Sequence, residues 1–363
     1  MSKKVALGMS GGVDSSVSAK LLLEQGYQVH GVYLSGLYPG VGQETAIGDI
    51  AMVARQLGIS WEVLDLGRRP RELYDYFVDT YRAGRTPNVC VICNRQVKFG
   101  FFYQWALGQG FDLVATGHYV RLKKMPDKKI YVRTAADKKK DQSYFLSLVE
   151  ENVWSQAIFP VGDYHKSDIR NMAANWGLPV ATKPESMEVC FLQNQKVRDF
   201  LAQEIKSQSG DIVTQTSGGL QTIGSHRGLE FYTIGQRQGL QINPTSTQTP
   251  VYYVKAKDVA NNRLIVATRE HLGQKQICLQ NITTRLQEQL TNHTDWSAWR
   301  VRIRHRGELL ALENLELTST TTLKVELPVA TVVSPGQFAT FYAPDPDSRD
   351  DWLVMGAGEI ASA

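Results

Sequence analysis

A double-glycine turn flanked by hydroxyl residues, Ser10-Gly11-Gly12-Val13-Asp14-Ser15-Ser16, joins a short apolar run to a helical one. It constrains this chain more than any other feature. Two glycines let the backbone turn tightly and approach a ligand closely. The first amides of the helix that follows lack intrahelical partners, and with the helix dipole they favour an anion. Ser10, Ser15 and Ser16 add hydroxyl donors. No Gly-Lys-Ser/Thr follows, so this is not a Walker loop. The bland alternative is a glycine-rich strand-to-helix turn with a Ser/Asp cap; position, order and flanks together favour a phosphate loop.

The flanking pattern sets the fold class. Lys4-Met9 reads as a buried strand, Val13-Gln25 as a helix, Gln28-Leu34 as a strand, Thr45-Leu57 as a helix, Trp61-Leu66 as a strand and Arg71-Tyr81 as a helix. A helix from about Asn94 to Leu107 precedes the strand Asp112-Thr116, and helical patterns at Lys166-Trp176 and Lys196-Lys206 close the region. Such alternation predicts an α/β doubly wound parallel sheet. From Ser207 to Gly224, Ser, Gln, Gly and Thr dominate, as in a linker or small turn-rich module. Short alternating strands then follow, at Val251-Lys255, Arg263-Ala267, Lys275-Gln280, Arg300-Arg306, Thr321-Leu327 and Gln337-Tyr342, and these predict a β-barrel-like end. The expected domains are 1–206, catalytic; 207–270, small and central; and 271–363, β-barrel.

At 363 residues the chain can bury a core without metal or disulfide staples. Its four cysteines, Cys90, Cys93, Cys190 and Cys278, make no secreted framework. Met1-Ser2-Lys3-Lys4 leads into a strand pattern without the apolar core of a signal peptide, and no run is long enough to span a membrane, so a cytoplasmic chain is expected. There a close pair such as Cys90-Val91-Ile92-Cys93 reads as redox, metal or catalytic chemistry. Lying just before a helix, with Arg95 and Lys98 nearby in sequence, these thiols are expected to be stabilised as thiolates. Cys190 taken alone reads as a buried structural cysteine, and Cys278, in an alternating strand, as core.

The chain resembles the bacterial tRNA-specific 2-thiouridylases of the ATP-pyrophosphatase (PP-loop) superfamily over nearly its whole length. The segments that carry the resemblance are Gly8 to Ser16, Ala83-Gly84-Arg85-Thr86-Pro87-Asn88, Cys93-Asn94 with Lys98-Phe99, Ala115-Thr116-Gly117-His118-Tyr119, Lys140-Asp141-Gln142-Ser143-Tyr144-Phe145-Leu146, Phe159-Pro160-Val161-Gly162, Cys190-Phe191, Gly235-Gln236-Arg237 and Ser334-Pro335-Gly336-Gln337. The resemblance implies an enzyme that uses ATP with Mg²⁺ to adenylate the C2 oxygen of the wobble uridine in tRNA. Sulfur from an enzyme persulfide then replaces that oxygen. It implies ATP contacts at Gly8, Met9, Ser10, Gly11, Gly12, Val13, Asp14, Ser15, Leu34 and Gly117. Cys190 would carry the persulfide, Cys93 would be the nucleophile, and a Cys93–Cys190 disulfide would result. Asn88, Val89 and Cys90 would face the target base. A cysteine desulfurase or sulfur-carrier protein would donate the sulfur, and the free chain would be monomeric. Relatives usually carry Asn-Pro-Asp or Asn-Pro-Cys where this chain has Asn88-Val89-Cys90, and Met-Lys-Asn-Trp where it has Leu34-Ser35-Gly36-Leu37. With a cysteine at 90, three thiolates at Cys90, Cys93 and Cys190 are an alternative set of ligands for a [4Fe–4S] cluster.

The charge pattern bears on the RNA. From Arg121 to Lys140, nine basic residues stand against two acids, an excess larger than the +4 of the whole chain. A solvated hairpin is the plain reading of such a run, but it leads into Lys140-Asp141-Gln142, which by resemblance contacts tRNA, as would His118, Arg304, His305 and Gln337. On a strand, Arg300, Arg302, Arg304 and Arg306 would share one face and suit phosphates. Two other functions remain open on the residues: a non-thiolating PP-loop synthetase, which has no glutaminase signature here, and a tRNA-binding protein without catalysis, which leaves the phosphate loop unexplained.

Overall fold

The computed structural model describes residues 2–37, 41–185, 189–192, 195–242, 250–292 and 295–362. The chain forms two compact units, one of residues 1–73, 89–193 and 340–356 and the other of 74–88, 194–339 and 357–363. No helix among the described residues is long and apolar enough to cross a membrane.

The first unit is built on β1 (Lys4–Gly8), α1 (Val13–Glu24), β2 (Gln28–Ser35), α2 (Val41–Leu57) and β3 (Ser60–Asp65), and α3 (Arg69–Arg82) leads out of it. After α4 (Val89–Cys93) come a π-helical stretch Asn94–Phe102, α5 (Tyr103–Gly108), β4 (Leu113–Thr116), a hairpin of β5 (Val120–Lys124) and β6 (Ile130–Thr134), β7 (Ala157–Ile158) and α6 (Lys166–Asn175). The sheet is parallel, in the order β3-β2-β1-β4-β7. Val5, Ala6 and Leu7 of the central strand are fully buried, as a strand covered on both faces requires. Val17, Leu21 and Leu22 of α1 and Ile50, Val53 and Ala54 of α2 belong to the same core. The chain steps from β1 to β2 on one side and returns to β4 on the other, so the turn after β1 sits at a topological switch point, where open α/β sheets bind ligands.

The expected helix at 94–107 begins earlier, at Val89, so Cys93 lies inside the helical run rather than ahead of it. The basic run at 121–140 is largely the β5–β6 hairpin, and much of its charge is met within the unit. Asp351 takes Arg121, Arg133 and Lys138, while the fully buried Asp345 side chain pairs with Arg133 Nε at 2.7 Å and Lys123 at 3.6 Å. Lys123 also meets Asp347. Lys124, Lys128 and Lys129 toward the tip stay exposed.

The second unit holds α7 (Val197–Glu204) and a four-stranded sheet of β8 (Gly210–Thr216), β9 (Gly219–His226), β10 (Tyr253–Asp258) and β11 (Arg263–Ala267), in the order β10-β11-β8-β9. Its core is Ile212, Ile223, Leu229, Tyr232, Val254, Leu264 and Val266. The segment read as a linker or small turn-rich module is a strand pair; Ile212, Val213 and Ile223 are too few apolar positions to announce its strands among Ser, Thr and Gly. Further on lie β12 (Gln274–Gln280), α8 (Thr284–Asn292), β13 (Arg300–Arg302), β14 (Leu310–Ala311), β15 (Asn314–Leu317) and β16 (Leu323–Thr331). β17 (Phe338–Pro344) and β18 (Trp352–Ser362) run through both units along the chain. β12 pairs with β16 and with the end of β18.

Two expectations fail here. The strand carrying the arginine row stops at Arg302; Arg304 and His305 enter a turn in which Arg306 has φ +59° and the Gly307 amide returns to the Arg304 carbonyl at 3.0 Å, so no four-arginine face forms. Cys278 is exposed, because Ile277 and Leu279 take the buried phase of β12.

Burial works against the Asp351 carboxylate, but bonds from Lys138 and Ser348 and the charge of Arg121 hold it well below the usual carboxylate range. Asp351→Ala is expected to cost about 2 kcal/mol, since it removes the carboxylate shared by the half-buried Arg121 and Arg133, read as an earlier urea transition. A depressed carboxyl stabilises above its unfolded value near pH 4 and loses that contribution as pH falls. The gap between wild type and variant should therefore narrow on acidification; a widening gap would refute the assignment.

Candidate active site

The turn after β1 has the shape its glycines predict. Gly11 has φ +71°, and a Cβ there would lie 2.8 Å from the Ala46 carbonyl oxygen, so only glycine lets α2 come this near. Gly12 caps α1 without a side-chain bond. The serines bond back onto the turn: Ser15 Oγ and Ser16 Oγ donate to the Gly12 carbonyl at 3.2 and 2.9 Å, and the Ser10 amide donates to Ser15 Oγ at 3.3 Å. The Met9 amide donates to the Val32 carbonyl at 2.8 Å, tying the turn to β2, whose buried Leu34 stands one residue before the strand's end. Gly8 closes β1 and the buried Val13 opens α1. A Cβ on Gly117, just past β4, would sit 3.0 Å from the Ser15 amide nitrogen. The ten residues named for the nucleotide thus gather at the carboxyl ends of β1, β2 and β4.

Charged groups that the sequence did not single out surround the turn. Asp14 Oδ1 accepts from Tyr119 Oη at 2.7 Å and from Lys166 Nζ at 2.6 Å. Lys166 also meets Glu185 at 3.2 Å, and Lys140 donates to the same carboxylate at 2.6 Å. Lys183 donates to the Gly11 carbonyl at 3.0 Å and pairs with Asp49. Burial, then the Asp14 carboxylate, push the Tyr119 phenol far up, which keeps it a donor. A helix N-terminus with Lys166 and Lys183 beside it favours a polyanion. The one available signal was local: Tyr119 stands in Thr-Gly-His-Tyr, and Lys166 shortly follows Phe159-Pro160-Val161-Gly162.

Cys90, Cys93 and Cys190 are free thiols in the same unit. Cys90 and Cys93 lie on α4, and Cys190 begins a single 3₁₀ turn, Cys190–Leu192. The Asn94 side chain braces the start of this helix by donating to the Cys90 carbonyl at 3.0 Å. Charge on one thiol is felt at another. Burial raises Cys93 to about 11 against the pull of Lys98, with Cys90 adding to the rise. Burial raises Cys190 to about 12, with Cys93 and Cys90 adding. Burial also raises Cys90 against Lys98. The expected thiolate stabilisation is thus reversed: desolvation outweighs helix terminus and cation, and the resting thiols stay protonated at neutral pH. Among the described residues no three His, Cys, Asp or Glu side chains are arranged to hold a single metal ion.

Other residues named for RNA or base contacts serve local bonds. His118 is buried between Thr116 and Lys98. Asp141 accepts from the Ala135 amide at 3.0 Å and from Ser143 Oγ at 2.8 Å, and Gln142 Oε1 accepts from the Tyr119 amide at 2.9 Å. In the second unit Gln337 Nε2 donates to the Thr86 and Pro87 carbonyls at 3.0 Å each, and Asn88 Nδ2 donates to Gln337 Oε1 at 3.4 Å. The Thr86 amide donates to the Pro335 carbonyl at 2.8 Å. Two motifs about 250 positions apart therefore form one loop pair, just before Val89 and Cys90 in the chain.

Comparison with known proteins converges on one family. Residues 3–194 match a tRNA methyl transferase HUP domain, and residues 198–268 match a tRNA methyl transferase PRC-barrel domain. A tRNA-specific 2-thiouridylase MnmA from Treponema denticola is 39% identical over 99% of this chain and 98% of its own. Another from Trichlorobacter lovleyi is 40% identical over the same shares. Among solved structures, an NMN synthetase from Francisella tularensis aligns over 55% of this chain and 72% of its own, at 17% identity and a TM-score of 0.33. Identity near 40% along the full length of both chains means that this chain belongs to the tRNA-specific 2-thiouridylase family of the PP-loop superfamily.

Proposed function

We propose that the protein is a tRNA-uridine 2-sulfurtransferase, which adenylates the C2 oxygen of the wobble uridine with ATP and replaces that oxygen with sulfur. One observation carries the reading: a single compact unit holds both a glycine turn at the N-terminus of α1, suited to an anion, and three free thiols. The turn and Lys166 and Lys183 suit the phosphates of ATP. Asp14, the one acid on the turn, fits as an oxygen donor to a Mg²⁺ that would neutralise phosphate charge. Adenylation turns a poor oxygen leaving group into AMP. Cys190 then carries the donated sulfur as a persulfide whose terminal sulfur attacks C2. Cys93 attacks Cys190 Sγ and frees the sulfur, leaving a Cys93–Cys190 disulfide that an external thiol reduces. A cysteine desulfurase or a sulfur-carrier protein suits the donor role. Working thiols call for a reducing compartment, the cytoplasm. Asn88, Val89 and Cys90 lead into the thiol helix and suit the target base. Lys124, Lys128, Lys129 and Arg304 suit tRNA phosphates.

Ser10→Ala and Asp14→Ala should each lower tRNA-dependent pyrophosphate release from ATP by about a hundredfold with an unchanged circular dichroism spectrum. Wild-type release in both would exclude the turn as the nucleotide site. Cys190→Ser and Cys93→Ser should keep pyrophosphate release yet form no 2-thiouridine, while metal-free Cys90→Ser, supplied with a persulfide, should form it fully. Thiouridine only after iron–sulfur reconstitution would reject the persulfide route. Arg304→Ala should shallow the salt dependence of tRNA binding by about 0.7–0.9 in log–log slope; an unchanged slope removes Arg304 from the RNA surface.

A further inference from the structure

Lys98 belongs to the Cys93-Asn94…Lys98-Phe99 motif, and the proposed function gives it no work. The structure treats it differently from Arg95, the other cation near the thiols in sequence. Arg95 turns to Glu150 at 3.6 Å and is half exposed. Lys98 points inward, with Nζ 3.4 Å from His118 Nε2. His118 is buried, with Phe99 and Phe159 around its ring, and its Nδ1 is 2.7 Å from Thr116 Oγ1. Burial first, and then Lys98, hold His118 well below the ordinary histidine value, so it is neutral. An ammonium can only donate, so Nε2 accepts and the ring proton sits on Nδ1, facing Thr116. The imidazole is a fixed acceptor for Lys98.

The helix geometry explains why Lys98 matters to the thiols. In an α-helix, residue i+5 lies about 140° around the axis from residue i. Asn94–Phe102 is instead π-helical, with i→i+5 bonding and Cys93 at its N-cap, and that wider turn brings residue i+5 closer to the face of residue i. Lys98 is residue i+5 to Cys93. Of the charges acting on Cys90, Cys93 and Cys190, Lys98 is the cation that opposes burial at all three.

We propose that Lys98 is the positioning cation of sulfur transfer, carried onto the Cys93 face by the π-turn and aimed by the neutral His118, where it stabilises the Cys93 thiolate. The proposal rests on the sulfurtransferase reading. In the step it serves, Cys93 gives its proton to water, and its thiolate attacks Cys190 Sγ. The Cys93–Cys190 bond forms as the bond from Cys190 Sγ to the transferred sulfur breaks. The electron pair stays on that sulfur, already bound to uridine C2, and an external thiol reductant later returns both cysteines to thiols. His118 thereby acts on the thiols through Lys98.

The test is the rate of iodoacetamide alkylation at Cys93 at pH 7.5, read by peptide mass spectrometry in the full chain. The exposed Cys278 serves as internal reference. Lys98→Met should slow Cys93 about tenfold, roughly one unit of thiol acidity, with Cys278 unchanged. Lys98→Arg should restore most of the rate. His118→Phe should slow Cys93 as well, and the double variant should lose no more than Lys98→Met alone. An unchanged Cys93 rate in Lys98→Met, or equal slowing in Lys98→Arg, would overturn the proposal. Because alkylation needs neither ATP nor tRNA, its failure is distinct from any failure of the sulfurtransferase reading.

Discussion

Four consecutive residues, the last of β4 and the three that follow it, hold the site together. Thr116 closes the strand and, through His118, fixes the acceptor that Lys98 meets. Gly117 lies so close to the first turn of α1 that a methyl group would crowd the Ser15 amide. Tyr119 reaches Asp14 with its hydroxyl and is pinned by Gln142 at its own backbone. One extended segment thus spaces the anion-binding turn from the thiol helix, and a shift along it would move both at once. The motif at 140–142 supports this segment: Asp141 closes its own turn and Gln142 holds Tyr119.

The charges follow one rule with two outcomes. Where carboxylates are buried, cations answer them. Asp351 has Arg121, Arg133 and Lys138, while Glu185 has Lys140 and Lys166, which draw it below its usual value against the effect of burial. Where thiols are buried, a single lysine answers three, and burial wins. The difference suits the chemistry, since a protonated thiol is protected from stray oxidation and becomes a nucleophile only when something removes its proton.

The first unit was legible because its signals are local. A glycine turn between strand and helix patterns gives the switch point, and buried apolar runs give the parallel sheet. Boundaries held within a few residues except at Val89, where Asn88 stands in the N-cap position but the motif Cys93-Asn94 drew attention too far along the chain. The second unit was less legible. Ile212 and Ile223 sit among hydroxyl and glycine residues, so β8 and β9 read as a linker or small turn-rich module rather than as strands. Arg300 to Arg306 kept a period of two past the point where Arg306 and Gly307 turn the chain, because alternation does not reveal a positive φ. Cys278 was taken as core because one alternating strand has two phases and the sequence does not say which faces in. The partners of Asp14 and Asp351 were invisible for a different reason: they lie 105 to 230 positions away, and no periodicity reports such a contact.

The hairpin of β5 and β6 has a consequence for biosynthesis. Its strands are complete by Thr134, but the carboxylates that answer Lys123, Arg133 and Lys138 arrive only with Asp345, Asp347 and Asp351. More than two hundred residues must be added before the hairpin meets its counter-charges. Throughout that interval these three cations lack those partners, and the connection between β17 and β18 is the segment that supplies them.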